Sequence, residues 1–219
     1  TSFPPALAIK RSFGMSQKGK SLRYALIGLQ FVISIAFIIC AIFLKKQHCY
    51  MMNYDMGFNK ECLLTANIPL NSLDERDAFS SELLNNPNIK EVAWSQDRMV
   101  AEMHMTWGRW HHGEQMMLTV MPVSWNFLQV MGIEVFEGRD FLPSDEKGDG
   151  AIILNEYAKN KYNLNLEEVI EWNGTPFPAT GFCRDFHFKP LHEESDAFAF
   201  YIYDSEVLTK YFPTPHLTL

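Results

Sequence analysis

The longest feature of the hydrophobic pattern is an uncharged run of 21 residues, 24–44, which lies between Arg23 and Lys45. A helix of that length rises about 30 Å, which is the thickness of the hydrocarbon core of a bilayer. The run therefore predicts a transmembrane helix over residues 24–44. A signal peptide is one alternative, but Lys45-Lys46-Gln47 is a poor cleavage site. The other alternative is a buried helix of a soluble protein, which does not need so long an uncharged run.

Beyond Leu44 the pattern predicts that the same helix continues as a stalk over residues 45–57. No Gly or Pro interrupts residues 45–56, and Gly57 is a plausible residue to follow the C-terminus of a helix. A short disordered linker is the alternative, and the Met and aromatic content of the segment disfavours it.

From residue 58 onwards, short apolar runs alternate with short helical patterns. The first runs predict a β-α-β unit, and the whole series mixes such units with alternation typical of antiparallel strands. This mixture favours an α+β fold over a doubly wound parallel sheet. Strands are predicted at residues 62–68, 89–94, 116–123, 151–154, 169–172, 179–183 and 197–203, and helices at 72–85, 124–131 and 155–162.

Local signals set the limits of several of these elements. Ser72 and Glu75 have the spacing of a capping box, and Pro87 closes the helix that they open. Ser124 is predicted to cap the second helix, and Gly138 to break the segment that follows it.

The chain is thus predicted to have four parts, namely a basic connector at 1–23, the transmembrane helix at 24–44, the helical stalk at 45–57 and a folded domain at 58–219. The last part is long enough to bury a core of its own. Because the sequence starts at Thr1 rather than Met, we expect it to be a fragment of a longer protein.

Charge predicts the orientation of the helix. Residues 1–44 contain five of the 19 basic residues and none of the 26 acidic ones. Cytoplasmic flanks of membrane helices are enriched in Lys and Arg, so residues 1–23 are predicted inside and 45–219 outside. Lys45 and Lys46 oppose this orientation without reversing it. The acidic balance beyond the helix argues against nucleic acid as a partner.

The sequence lacks the usual motifs of catalysis and cofactor binding. It has no G-x-x-x-x-G-K-[ST], G-x-G-x-x-G, G-x-S-x-G, H-E-x-x-H or C-x-x-C. We therefore expect no enzyme activity, no catalytic residue, no cofactor and no ATP binding by this chain itself.

One cluster of Met and His has side chains that could bind copper outside the cytoplasm. Its spacing matches no fixed ligand geometry, and the interleaved Trp107 and Trp110 suit a flexible surface loop or a protein interface equally well. No metal site is predicted from it. The cluster comprises Met103, His104, Met105, His111, His112, Met116 and Met117.

A second cluster, Arg184-Asp185-Phe186-His187 with His192 and Glu193, could in principle serve a hydrolytic or metal site. No nucleophile accompanies it, and the alternating Phe residues suggest a strand end packed into a core.

The cysteines predict no disulfide framework. Cys40 lies in the predicted membrane helix, and Cys49, Cys62 and Cys183 leave an odd number outside it. One oxidised pair remains open.

Five segments together resemble the FtsX/MacB-type permeases of ABC transporters, particularly the duplicated kind found in Bacteroidetes. They are residues 21–36, 53–58, 131–141, 151–156 and 181–192, and they occur in the order typical of the family. The family's usual Gly-Val-Val-Lys-Asp-Phe corresponds here to Gly181-Phe-Cys-Arg-Asp-Phe186. By this resemblance the chain is the front of the second half of a longer permease, with a MacB-like periplasmic core domain truncated at its C-terminus.

The resemblance implies a role without chemistry. Such a permease sits in the inner (cytoplasmic) membrane, where a membrane helix leads into a periplasmic domain with porter-like and sabre-like subdomains. A separate cytoplasmic P-loop ATPase drives it, and helix and stalk carry the motion outwards for efflux or extraction of a substrate. The implied partners are that ATPase, a second permease copy or the other half of the same permease, and the lipid bilayer. The motifs at 138–141 and 184–187 would then be turns that define the fold.

Two other functions are compatible with the pattern. The first is a single-pass membrane sensor whose outer domain binds a ligand. The second, less favoured, is an extracytoplasmic hydrolase that uses the His-rich stretches.

Overall fold

The computed structural model of the protein describes residues 17–68, 73–101, 104–111, 114–147, 150–166, 169–172, 175–189, 193, 196–202 and 216–218. The chain forms two compact units, Thr1–Tyr54 and Asp55–Leu219. Most of the predicted basic connector lies in residues 1–16, outside the described residues.

The first unit contains helix α1, Gln17–Asn53, which runs for 37 residues without interruption. Such a helix is about 55 Å long, well beyond the roughly 30 Å that crosses the hydrocarbon core. Of the helices described, it is the one long and apolar enough to cross a membrane, and none of its apolar window is buried against the rest of the protein. A helix of this composition in a soluble core would be buried, so its exposed apolar surface fits lipid.

Helix α1 ends four residues before Gly57, where the sequence had placed the end of the stalk. The carboxylate of Asp55 accepts a hydrogen bond of 2.9 Å from the Gly57 amide, which closes a turn instead of a further helical turn. Gly57 has a φ of +77°, but it serves a close approach to another loop and not a helix cap.

The second unit is built on a seven-stranded mixed sheet. Its strands are β3 Met105–His111, β4 Glu114–Pro122, β5 Val135–Gly138, β6 Ala151–Asn155, β7 Val169–Trp172, β8 Thr175–Cys183 and β9 Phe198–Ile202. The strand order is β3-β4-β9-β6-β8-β5, with β7 paired to β8. The β4/β9 and β6/β8 pairs are parallel and the other pairs are antiparallel. This arrangement confirms the predicted α+β class.

A second sheet has three short strands, β1 Thr65–Asn67, β2 Ala93–Ser95 and β10 His216–Thr218, with helix α2, Leu73–Leu84, after β1. Strand β10 lies between β1 and β2 and is antiparallel to both. The predicted β-α-β unit is therefore split by a strand from the far end of the sequence. The predicted buried strand at 62–68 is wrong, because β1 has only three residues and both its ends are exposed. Ser72 of the predicted capping box lies outside the described residues.

Strands β6 and β9 form the centre of the large sheet, and every residue in both is buried. Their side chains alternate between two core clusters. Ile153, Phe198 and Phe200 belong to the first cluster, and Ile152 and Tyr201 to the second. A strand covered on both faces reads as a continuous apolar run, which is why residues 151–154 were recognisable from the sequence.

The described residues of this unit also form three shorter helical segments: α3 Phe127–Met131, a 3₁₀ turn at Asp145–Lys147, and α4 Glu156–Tyr162. Helix α4 follows β6 directly, as predicted. Ser124 does not cap α3, which begins after Asn126. The Ser124 hydroxyl instead accepts a hydrogen bond from the Trp94 amide (2.9 Å) and donates one to Asn126 (2.9 Å), so it ties β2 to the large sheet.

Candidate functional site

The residues that begin the second unit are fixed to it by backbone hydrogen bonds. We call residues 56–59 the anchor segment. The Met56 carbonyl accepts a bond of 2.7 Å from the His187 amide, and the Asn59 amide donates a bond of 2.7 Å to the Met131 carbonyl. The segment is therefore bonded on one side to the loop after β8 and on the other to the end of α3.

Gly57 allows the anchor segment to lie directly against that loop. A Cβ atom at this position would stand 2.7 Å from the Asp185 carbonyl oxygen and 2.9 Å from the Phe186 Cα. Both atoms belong to backbone, which cannot move aside as a flexible side chain would. The positive φ of Gly57 adds strain for any other residue. The geometry thus requires glycine here.

The loop that receives Gly57 contains the predicted cluster Arg184-Asp185-Phe186-His187. Asp185 accepts a hydrogen bond of 2.8 Å from the amide of Tyr157, the second residue of α4. Burial raises the pKa of this carboxyl, and the Tyr157 hydrogen bond opposes that shift. Arg184 forms an ion pair of 3.2 Å with Glu156 on the same helix. These contacts hold the loop against α4. His192, which the sequence analysis grouped with these residues, lies outside the described residues.

The phenylalanines of this loop extend into the first core cluster. The ring of Phe186 lies 5.1 Å from that of Phe198 and 5.2 Å from that of Phe200, and Phe188 lies 4.6 Å from Phe198. Phe58 of the anchor segment packs against the same cluster. The anchor segment, the loop and strand β9 therefore share one aromatic core.

The other predicted motif, at 138–141, makes the tight connection after β5. A Cβ atom on Gly138 would clash with the Thr180 carbonyl oxygen, and φ there is +78°. Arg139 pairs with Asp145 at 2.8 Å. Burial would raise the pKa of Asp145, but its bonds to Arg139 and to the Leu142 amide lower it overall. These residues fix the path of the chain between β5 and the 3₁₀ turn.

Four members of the Met and His cluster lie on paired strands, Met105 and His111 on β3 and Met116 and Met117 on β4, which are antiparallel to each other. Met116 is buried and Met117 is half exposed. The His104 ring packs edge-on against Phe188 (5.8 Å) and Phe198 (5.7 Å), and burial lowers its pKa, against the opposing effect of Asp97. Met103 and His112 lie outside the described residues. Within the described ranges, no three His, Cys, Asp or Glu side chains are grouped to hold a metal.

All four cysteines are free, so the oxidised pair that the sequence left open is not formed. Cys62 is exposed, whereas Cys183 is completely buried in β8. Burial raises the pKa of the Cys183 thiol, with a further contribution from Asp185, and a thiol is far less reactive than a thiolate.

We therefore expect Cys62 and Cys183 to differ sharply in their reactivity toward maleimide. In a Cys40→Ala/Cys49→Ala background, the folded chain should take up one equivalent of reagent, at Cys62. Denaturation should expose a second reactive cysteine, which mass spectrometry of peptides would assign to Cys183. Equal labelling of both residues in the folded protein would contradict the burial of β8.

Sequence reasoning missed the anchor segment. It assigned Gly57 to the end of a helix, and nothing near it in sequence indicates contact with residues 185 and 186 or with Met131. The available signal was a glycine followed by an aromatic residue, and this pattern does not indicate which residues the segment contacts.

No family model and no curated protein matches this chain. Among solved structures, the periplasmic region of MacB from Actinobacillus actinomycetemcomitans is similar with a TM-score of 0.50 and 16% identity, over 74% of this chain and 76% of that one. The extracellular domain of YknZ, a noncanonic ABC-type transporter of Gram-positive bacteria, gives a TM-score of 0.43 and 19% identity, over 70% and 82%. The first comparison confirms, for the fold, the resemblance seen in the sequence.

Proposed function

We propose that this chain, which has the fold of the periplasmic region of MacB, is part of a membrane-spanning ABC-transporter permease. In this role α1 crosses the inner membrane, and the second unit lies on the periplasmic side. The chain carries motion from a cytoplasmic ATPase to the periplasmic domain, for efflux or extraction of a substrate.

The observation that carries this proposal is that a helix long enough to cross a membrane, α1, precedes a domain of that fold in the sequence. The length of α1, which has 37 residues, exceeds the thickness of a membrane, and no Pro occurs in the helix. An uninterrupted helix resists bending, so it suits a rigid-body switch in which movement on one side of a bilayer appears on the other.

The proposal requires partners. Since the sequence has no phosphate-binding loop, ATP must be bound by a separate P-loop ATPase. A second permease copy or the other half of the same permease completes the membrane part. No catalytic role is proposed for any residue of this chain.

We expect Lys20 on the cytoplasmic side and His111 on the periplasmic side, because basic residues precede the membrane helix without any acid. In a cysteine-free background, a membrane-impermeant maleimide should label His111→Cys in intact cells and spare Lys20→Cys. Permeabilised cells, in which both positions should be labelled, serve as the control. The opposite pattern in intact cells would overturn the proposed orientation.

A further inference from the structure

We propose that the anchor segment is the point at which movement of α1 is delivered to the domain, and that Gly57 is the residue that positions it. The inference rests on the proposed function. It goes further because it names the segment through which the movement of α1 reaches the domain and the sheet on which that movement acts first.

The hydrogen bonds of the anchor segment lead to the large sheet. His187, which donates to Met56, lies in the loop between β8 and β9, and Met131, which accepts from Asn59, ends α3. Met131, Phe186 and the face of β9 that carries Phe198 and Phe200 belong to one core cluster, against which Phe58 packs. A displacement of the anchor segment therefore acts first on the large sheet.

The small sheet is joined to the large one at β2. The Ser124 amide donates to the Trp94 carbonyl (2.8 Å), and the Asn126 side chain donates to the Val92 carbonyl (2.9 Å). Ala93 lies in the same core cluster as Met131. Because this connection is buried and hydrogen-bonded, the small sheet follows the large one.

Gly57 sets the stiffness of the attachment. With glycine, the backbone of the anchor segment rests on the backbone of residues 185 and 186 without an intervening side chain. Any Cβ pushes the two apart and weakens both flanking bonds, the one from His187 and the one to Met131. Asp55 supports the same geometry from outside the core, because its carboxylate accepts a hydrogen bond of 2.9 Å from the Gly57 amide.

The experiment uses the full-length permease with its ATPase in membranes, and hydrogen exchange of the domain with and without ATP plus vanadate. In Gly57→Ala, the amides of Asn59 and His187 should exchange at least about tenfold faster, since both lose protection when the anchor opens. The change in exchange that ATP and vanadate produce across the domain should be lost, while the ATPase still hydrolyses ATP.

Two further variants keep the test decisive if Gly57→Ala fails to fold. Asp55→Ala removes only a surface acceptor, so it should loosen the anchor and weaken the response, and Asp55→Asn should restore both. Gly108→Ala is the matched control, because its Cβ meets flexible side chains and not backbone, that of Met117 at 3.1 Å and that of Gln115 at 3.8 Å, and its φ is not positive.

Three outcomes are distinguishable. If the anchor variants lose the nucleotide response and Gly108→Ala keeps it, the inference stands. If exchange at the anchor quickens while the nucleotide response persists, or if exchange does not quicken at all, the inference is overturned and the proposed function remains. If the unmodified permease shows no response to ATP and vanadate, the proposed function fails, and the inference fails with it.

Discussion

Replacing Gln47 by Pro should abolish the ATP-dependent response of the periplasmic domain while leaving that domain folded. Gln47 lies inside α1, past the apolar run. Proline there removes a hydrogen bond of the helix and clashes with the preceding turn, at a cost of about 3 kcal/mol or a kink. Since the second unit begins at Asp55, its core does not include the substituted residue. Hydrogen exchange of the domain with and without ATP plus vanadate measures the effect.

Two companion variants sharpen this experiment. Met51→Pro should act in the same way, because it also interrupts α1 before its end at Asn53. Gln47→Ala should be nearly silent, since Ala is the best helix former. If both Pro variants respond to nucleotide like the parent at equal expression, α1 is a tether, and the proposed transmission of motion through it is wrong.

Replacing Asn155 by Ala should destabilise the second unit by about 2–6 kcal/mol. Its side chain is completely buried and bonds three backbone groups. The carbonyl accepts from the amides of Ala158 (3.1 Å) and Phe198 (2.8 Å), and the amide donates to the Asp196 carbonyl (3.0 Å). The variant leaves the amides of Ala158 and Phe198 buried without these bonds, and each unpaired buried group costs about 1–3 kcal/mol. The Asp196 carbonyl, which is partly buried, also loses its bond.

Urea unfolding of the purified chain, followed by tryptophan fluorescence, would give the free energy of unfolding. Asn85→Ala is the matched control, because the Asn85 side chain is exposed and makes only a 3.5 Å contact with Glu82. Its effect should stay within about 0.5 kcal/mol, as for most surface substitutions. A loss below about 1 kcal/mol for Asn155→Ala would show that this cap and bridge are not important for stability.

The sequence was most informative where a single local rule determined the structure. A continuous apolar run predicted β6, because a strand covered on both faces leaves a local trace. The helix predicted after it, at 155–162, corresponds to α4, which in the structure is capped by Asn155. The long uncharged run predicted the apolar part of α1 in the same way. The MacB-type fold was recognised from the order of several such segments.

The predictions failed where contacts between residues far apart in the sequence determine the structure. The limits of β1 are set by pairing with β10, about 150 residues later in the chain. Strand β4 was predicted at 116–123, but its partner β3 was not, and a flexible surface loop or a protein interface was considered there instead. In the structure β3 alternates as a strand does, with Trp107 buried while Thr106 and Gly108 are exposed. Gly57 could not be assigned because its contact, at Asp185 and Phe186, comes from a remote loop.

The position of β10 between β1 and β2 has a consequence for biogenesis. During synthesis β1 and β2 emerge long before residues 216–218, and neither can complete its ladder until β10 arrives. Pairing across so long a stretch of chain is slow, because closing the loop costs entropy before any contact is gained. The small sheet should therefore assemble last, and until then its open strand edges are the part of the nascent domain that most needs a chaperone.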